Sequence, residues 1–254
     1  MYLRYISLTI SDNCNYGSKY NYEFKCHCRY ICNFLSKEVR KHKVLTDGTY
    51  NMIAIEAGYL YLPKIVYDKC MEVSVPFDKE KYEIVRGTND ASYYLELIKI
   101  GLERAFEYKK LPQNIITDLL NAFSVVHEKN EWIHKRVIFK EVGIKAILIC
   151  RFTTNDFQVI VQFSSLKTKE LLCEGVVIRA IPDELAFDFC FRDLLVIDNR
   201  IWITDFLKEP YIYFEIEDIL SHNFILGFSN QYINDDGYYS LLMKNISYKP
   251  DSVF

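Results

Sequence analysis

Four cysteines and a histidine near the start of the chain could bind a metal ion. Cys26, His27, Cys28 and Cys32 lie in one short stretch, and Cys14 lies upstream. Zinc needs four thiolate or imidazole ligands in a tetrahedron, commonly supplied as two closely spaced pairs. Here Cys26 lies opposite Cys28 on a helix, and no second C-x2-C or H-x3-H pair follows. The spacing favours core positions over ligands for Cys26, Cys28 and Cys32, leaves the choice open, and indicates no metal or other cofactor.

Two histidines could instead perform acid–base chemistry. His127 and His134 flank the boundary between a predicted helix and a predicted strand, with Glu128 and Glu131 beside them. Such a neighbourhood could form a hydrolytic site, although the sequence defines no nucleophile for it. A hydrolase built around His127 and His134 is therefore the alternative hypothesis, and it requires these side chains to converge in one pocket.

Acidic residues are concentrated between positions 183 and 218, where ten acids accompany three basic residues. Paired carboxylates serve glycosidases and metal-dependent nucleases, but these acids lie mostly at predicted turns, where Asp is favoured by backbone geometry. The phosphate-binding patterns G-x-x-x-x-G-K and G-x-G-x-x-G and the nucleophile elbow G-x-S-x-G are absent. We therefore assign no catalytic residue, and the sequence favours a binder over an enzyme.

Helical periodicity predicts the elements that carry the first half of the chain. A strand is expected over Tyr2–Ile10, and a helix follows in which apolar residues recur every three or four positions. Asp47-Gly48 predicts a hairpin turn before a strand at Tyr50–Ile55. A helix that begins near Ala91 and a second with Pro112 in its first turn predict a helical hairpin.

Strand-like segments follow from Trp132 to Ile216 and predict an antiparallel β meander. They are rich in β-branched and aromatic residues and are separated by short polar breaks. A short helix is expected at Pro182–Phe187. The predicted fold class is α+β, with an N-terminal strand–helix–strand portion, a helical hairpin and the meander. The segments that carry the meander prediction are Ile144–Phe152, Phe157–Phe163, Val176–Ile181 and Ile201–Ile203.

Length and composition indicate one globular protein. The chain has 254 residues, half of them hydrophobic, which suffices for a sizeable core. We expect a single domain over residues 1–254, with a subdivision into 1–86 and 87–254 as the alternative. The start of the chain lacks the features of a signal peptide, so the eight cysteines are expected to be reduced in the cytoplasm. No apolar stretch is long enough for a membrane span.

The acidic, aromatic and motif-poor character of the chain resembles the immunity proteins of bacterial polymorphic and contact-dependent toxins. The resemblance is carried by the Trp132–Ile216 strand region and the acidic 183–218 segment, and no diagnostic motif supports it. It implies a protein that neutralises a toxin by covering its active site, with a basic toxin domain as the partner. No residue roles are transferred, because those families are too diverse.

The first hypothesis is therefore an intracellular protein-binding module with an acidic, aromatic contact surface. The overall charge of −3 does not favour a nucleic-acid partner, although residues 1–45 hold eight basic and three acidic residues and keep that possibility open. The sequence leaves the oligomeric state undetermined. The residues expected to contact the partner are Asp193, Asp198, Asp205, Glu215, Glu217, Tyr211 and Tyr213.

Overall fold

The computed structural model describes residues 1–14, 16–126 and 129–229. Its residues cluster into two compact units, the first formed by Met1–Asn130 with Thr153–Asn155, the second by Glu131–Phe152 and the described residues from Asp156 onward. The α+β class predicted from the sequence is confirmed. The single domain over residues 1–254 and its alternative, a boundary after residue 86, stay predictions.

The first unit contains a four-stranded sheet and its helices. The sheet has the order β1-β2-β4-β3, in which β1, β2 and β4 are parallel and β3 is antiparallel to β4. The strands are β1 (Tyr5–Ile10), β2 (Met52–Gly58), β3 (Lys64–Val66) and β4 (Cys70–Pro76). The helices are α1 (Ser18–His42), α2 (Lys79–Val85), α3 (Ser92–Lys109) and α4 (Asn114–Val125).

Helix α1 lies along β1 because its apolar stripe is continuous. The stripe residues are all buried, and they are Phe24, Cys28, Ile31, Leu35 and Val39. The helix also covers the free edge of β1, since Ser36 Oγ accepts a hydrogen bond from the Ile6 N–H at 2.9 Å and donates one to the Ile6 carbonyl at 3.3 Å. An edge strand covered in this way cannot pair with another chain.

The predicted hairpin at Asp47-Gly48 is wrong. Leu45 forms an isolated antiparallel bridge with Tyr2, whereas β2 begins at Met52 and pairs in parallel with β1. Asp47 instead closes a local turn, in which its carboxylate accepts hydrogen bonds from the backbone N–H and hydroxyl of Thr49. An Asp-Gly pair therefore marks a turn here, but the strands on either side of it find other partners.

The predicted helical hairpin is confirmed as α3 and α4. Its first helix packs closely on the sheet at Gly101, where a Cβ atom would lie 2.7 Å from the side chain of Ile55 in β2. Glycine at this position therefore permits the helix to approach the strand. None of the helices in the described part of the chain is long and apolar enough to cross a bilayer.

The second unit holds the predicted meander as two four-stranded sheets. The second sheet of the protein has the order β5-β6-β7-β8, and the third sheet has the order β12-β11-β10-β9. The strands are β5 (Asn130–Phe139), β6 (Ile144–Phe152), β7 (Phe157–Ser165), β8 (Leu171–Ala180), β9 (Leu194–Ile197), β10 (Arg200–Thr204), β11 (Pro210–Glu215) and β12 (Gly227–Phe228). The helices are α5 (Glu184–Phe187), which the sequence predicted, and α6 (Ile216–Leu220).

Aromatic side chains form much of the core of this unit. Phe157 in β7 stacks on Phe187 in α5 with ring centroids 3.5 Å apart and planes inclined by 7°. Phe163 in β7 meets Phe214 in β11 edge to face at 5.1 Å, so the ring contact joins the two sheets. Such ring pairs add to the stabilisation from burial itself. Among the described residues, the opposite face of the sheet formed by β9–β12 is partly exposed, since Trp202 and Tyr213 on it are half-buried.

Candidate functional site: the exposed face of the third sheet

The hairpin of β9 and β10 determines which side chains this face presents. Its two turn residues, Asp198 and Asn199, have φ values of 49° and 61°, in the left-handed region that a type I′ turn requires. Ile197 and Arg200 flank the turn as a pair. Since side chains alternate between the faces of a strand, this register buries Ile201 and turns Trp202 outward.

Trp202 and Tyr213 form the aromatic centre of the exposed face. They are paired across β10 and β11, with ring centroids 4.9 Å apart. The Trp202 indole N–H donates a hydrogen bond to the Ile197 carbonyl at 3.3 Å. The Tyr213 ring lies over Gly227 in β12, where a Cβ atom would come within 2.3 Å of the ring. Both rings are therefore held in place although they remain partly exposed.

Arg200 lies beside the two rings and forms a row with Trp202 and Tyr213. Its guanidinium carbon lies 4.4 Å from the centroid of the Tyr213 ring, and its Nε donates to Glu215 Oε1 at 2.7 Å. A cation over an aromatic ring is attracted by the ring's quadrupole. Beside this row lies an open cleft with a volume of about 430 Å³. The cleft is lined by Arg200, Trp202, Glu209, Pro210, Tyr213, Phe228 and Ser229.

The predicted contact acids differ in how they are engaged. Asp193 forms an ion pair with Lys135 at 3.0 Å, and Glu215 is paired with Arg200. Burial by itself raises the pKa of Asp193, but the hydrogen bond from the Leu194 N–H and the Lys135 ammonium outweigh it, so the pKa lies below its ordinary value. These two carboxylates are therefore partly neutralised within the unit.

Asp198 and Glu217 are exposed and lie at the same end of the sheet. The Ile216 N–H donates to the Asn199 carbonyl at 3.2 Å, which brings the start of α6 beside the β9–β10 turn. No ion pair engages either acid within residues 1–14, 16–126 and 129–229. The turn end of the sheet is consequently its negative end.

Asp205 and Tyr211 are buried, in contrast to what the sequence suggested for them. The Tyr211 hydroxyl donates a hydrogen bond to the Cys190 carbonyl, and Asp205 Oδ1 accepts one from the Glu209 N–H at 2.9 Å. Both side chains thereby hold the loop and core beneath the sheet. Neither presents an atom to a partner in this conformation. Partner binding stays a prediction for the remaining five residues.

The structure describes one of the two histidines of the alternative hypothesis, His134. His127 lies outside the described residues. His134 lies on β5, where its Nε2 is 3.1 Å from the Arg192 carbonyl and its ring meets Phe191 edge to face at 4.7 Å. The convergence of the two histidines in one pocket therefore stays a prediction.

Three of the four candidate cysteines, Cys26, Cys28 and Cys32, lie within α1 and are buried, whereas Cys14 precedes the helix and is half-buried. Cys28 Sγ donates to the Leu8 carbonyl at 3.3 Å, and burial raises its pKa well above the ordinary value. Among the residues that the structure describes, no three His, Cys, Asp or Glu side chains are grouped in a way that could hold a metal ion.

Sequence reasoning missed two residues of the exposed face, Arg200 and Trp202. Trp202 lies between Ile201 and Ile203, and this alternation already indicated that it faces the opposite side of the strand. The pairing of β10 with β11, which places Tyr213 beside it, could not be read from the sequence.

Comparison of the chain with protein-family models, curated proteins and solved structures finds no match.

Proposed function

We propose that the chain is a protein-binding module whose contact surface is the exposed face of the third sheet. The observation that carries the proposal is the row of Trp202, Tyr213 and Arg200, because Trp, Tyr and Arg dominate the binding energy of protein interfaces. The row is preorganised by Gly227 and Glu215, so that little side-chain entropy is lost on binding.

In its more specific form the proposal is an immunity protein that acts in the bacterial cytoplasm and covers a toxin's active site. The partner is then a basic domain, and the exposed acids Asp198 and Glu217 attract it during diffusion. Asp193 and Glu215 contribute less to this attraction, because Lys135 and Arg200 neutralise part of their charge.

The experiment begins with capture of a partner from the native source on the tagged chain and measures its affinity for purified variants. Trp202→Ala should weaken binding by about 30-fold or more, the loss expected for a central aromatic at an interface. Tyr67→Ala is the matched control, since Tyr67 is 95% exposed and lies in the first unit. A partner that binds the Trp202→Ala variant as well as the wild-type chain refutes the proposed surface.

The charge part of the proposal has a separate test. The double variant Asp198→Asn and Glu217→Gln should slow association and reduce its dependence on salt, while leaving dissociation nearly unchanged. Stopped-flow mixing at low and high ionic strength measures both rates. If the association rate changes neither with the salt concentration nor with the two substitutions, these acids do not attract the partner.

A further inference from the structure

Strand β9 forms one edge of the third sheet and is apolar along its whole length. Its residues run Leu194-Leu195-Val196-Ile197, without a charge or a proline. Val196 and Ile197 are 39% and 42% exposed. An exposed hydrophobic edge strand is a template for pairing with another chain, and proteins usually block such edges.

The backbone of Val196 is available for that pairing. Residues that flank a two-residue hairpin exchange both hydrogen bonds, so Ile197 and Leu195 bond to β10 and the N–H and C=O of Val196 point away from it. Leu194 N–H, which faces the same way, is already bonded to Asp193 Oδ1 at 2.8 Å. In the described part of the chain, no donor or acceptor bonds the Val196 backbone groups.

Within residues 1–14, 16–126 and 129–229, the other edge strands carry a block that β9 lacks. Strand β1 is also uncharged, but Ser36 of α1 occupies the outward N–H and C=O of Ile6. Strand β12 has two residues, which is too short to act as a template. The remaining edges contain charges or follow a proline, namely Pro63 and Lys64 at β3, Glu131, Lys135 and Arg136 in β5, and Glu174 and Arg179 in β8.

We propose that β9 binds an extended strand of the partner protein, which adds to the third sheet as a fifth strand. Main-chain hydrogen bonds to Val196 supply affinity in this mode, and side-chain contacts supply specificity. The inference rests on the proposed function, because the added strand's outward side chains lie next to Leu195 and continue the face that holds Trp202.

The charges at the turn end define the chemistry of that strand. Asp198 immediately follows β9, and Glu217 lies at the same end of the sheet. A partner strand that passes Val196 therefore places its next residues beside two exposed acids. The partner strand has apolar alternate residues and a Lys or Arg at the end that meets Asp198.

The test uses a labelled synthetic peptide of alternating valine and threonine with one terminal lysine. Two versions are made, one with the lysine at the N-terminus and one with it at the C-terminus, so that both strand directions are tested. Binding is measured by fluorescence anisotropy, and hydrogen exchange of the Val196 amide is followed with and without peptide. We expect one chain direction to bind, and to slow that exchange. The same peptide N-methylated on every nitrogen should not bind, since it can donate no main-chain hydrogen bond.

Substitutions at Val196 separate backbone pairing from side-chain contact. Val196→Pro removes the outward N–H without breaking a bond to β10, and should weaken peptide binding by about tenfold. Val196→Thr keeps the N–H and should bind as the wild-type chain does. Far-UV circular dichroism and tryptophan fluorescence confirm that both variants fold. Equal binding by the proline variant, or unchanged exchange at Val196, overturns the proposal.

The same variants distinguish this inference from the proposed function. If the captured partner no longer binds the Trp202→Ala variant but still binds the Val196→Pro variant, the exposed face binds the partner and strand addition is refuted. If both substitutions are without effect, the proposed function fails as well. Concentration-dependent self-association that protects the Val196 amide would make a second copy of the chain the occupant, and would also overturn the proposal.

Discussion

An ion pair in the first unit offers the sharpest test of the energetics. Glu23 in α1 has a side chain that is only 5% exposed, and both its oxygens accept hydrogen bonds at 2.7 Å from Nε and Nη2 of Arg86. Arg86 also contacts Glu83 at 3.2 Å, and its guanidinium carbon lies 4.9 Å from the Tyr20 ring centroid. The perturbation is Arg86→Met, which keeps much of the side-chain volume and removes the cation.

The expected loss follows from the burial of the two partners. Removing one partner of a fully buried ion pair costs about 3–5 kcal/mol, because the other charge stays buried without compensation. Arg86 is 35% exposed, so water can reach part of the space it vacates. We therefore expect Arg86→Met to lower the free energy of unfolding by about 2–3 kcal/mol.

Urea unfolding followed by far-UV circular dichroism measures the loss. Tryptophan fluorescence is unsuited to it, since Trp132 and Trp202 both lie in the second unit. Lys81→Met is the matched control, because Lys81 forms a half-exposed pair with Glu96 in the same unit and should contribute little. Adding Glu23→Gln to Arg86→Met should restore stability, as it removes the buried charge. Equal losses in Arg86→Met and Lys81→Met, or no recovery in the double variant, would refute the reasoning.

Two further predictions concern the core and the pH dependence of stability. Phe187→Ala should lower the free energy of unfolding by about 3–5 kcal/mol through loss of the Phe157 stack, measured by tryptophan fluorescence. Leu185→Ala on the same helix is its control, being 81% exposed, and a similar loss there would contradict the packing argument. Burial lowers the pKa of His27, with Glu23 opposing and Arg86 reinforcing the shift, so stability should fall as the pH drops below the histidine's unfolded value of about 6.5. Urea titrations across that range should show a weaker pH dependence in His27→Gln, and an unchanged one would indicate that another group titrates.

The sequence by itself determined the elements whose signal is local. The stripe on α1, the helical hairpin and the strand-rich second half all follow from apolar periodicity, which depends only on neighbouring residues. The hairpin prediction at Asp47-Gly48 failed for the same reason. A turn signal is local, so it does not identify the strands that pair on either side of it.

Only the tertiary structure decided which residues can meet a partner. Asp205 and Tyr211 are of the same residue types as the more exposed Asp198 and Tyr213, yet they are buried. Strand pairing and the packing of the two sheets determine the direction of each side chain. Trp202 acquires its neighbour Tyr213 through the register of β10 and β11. The free backbone of Val196 likewise depends on β9 being the last strand of its sheet, and strand order arises from contacts between residues distant in the sequence.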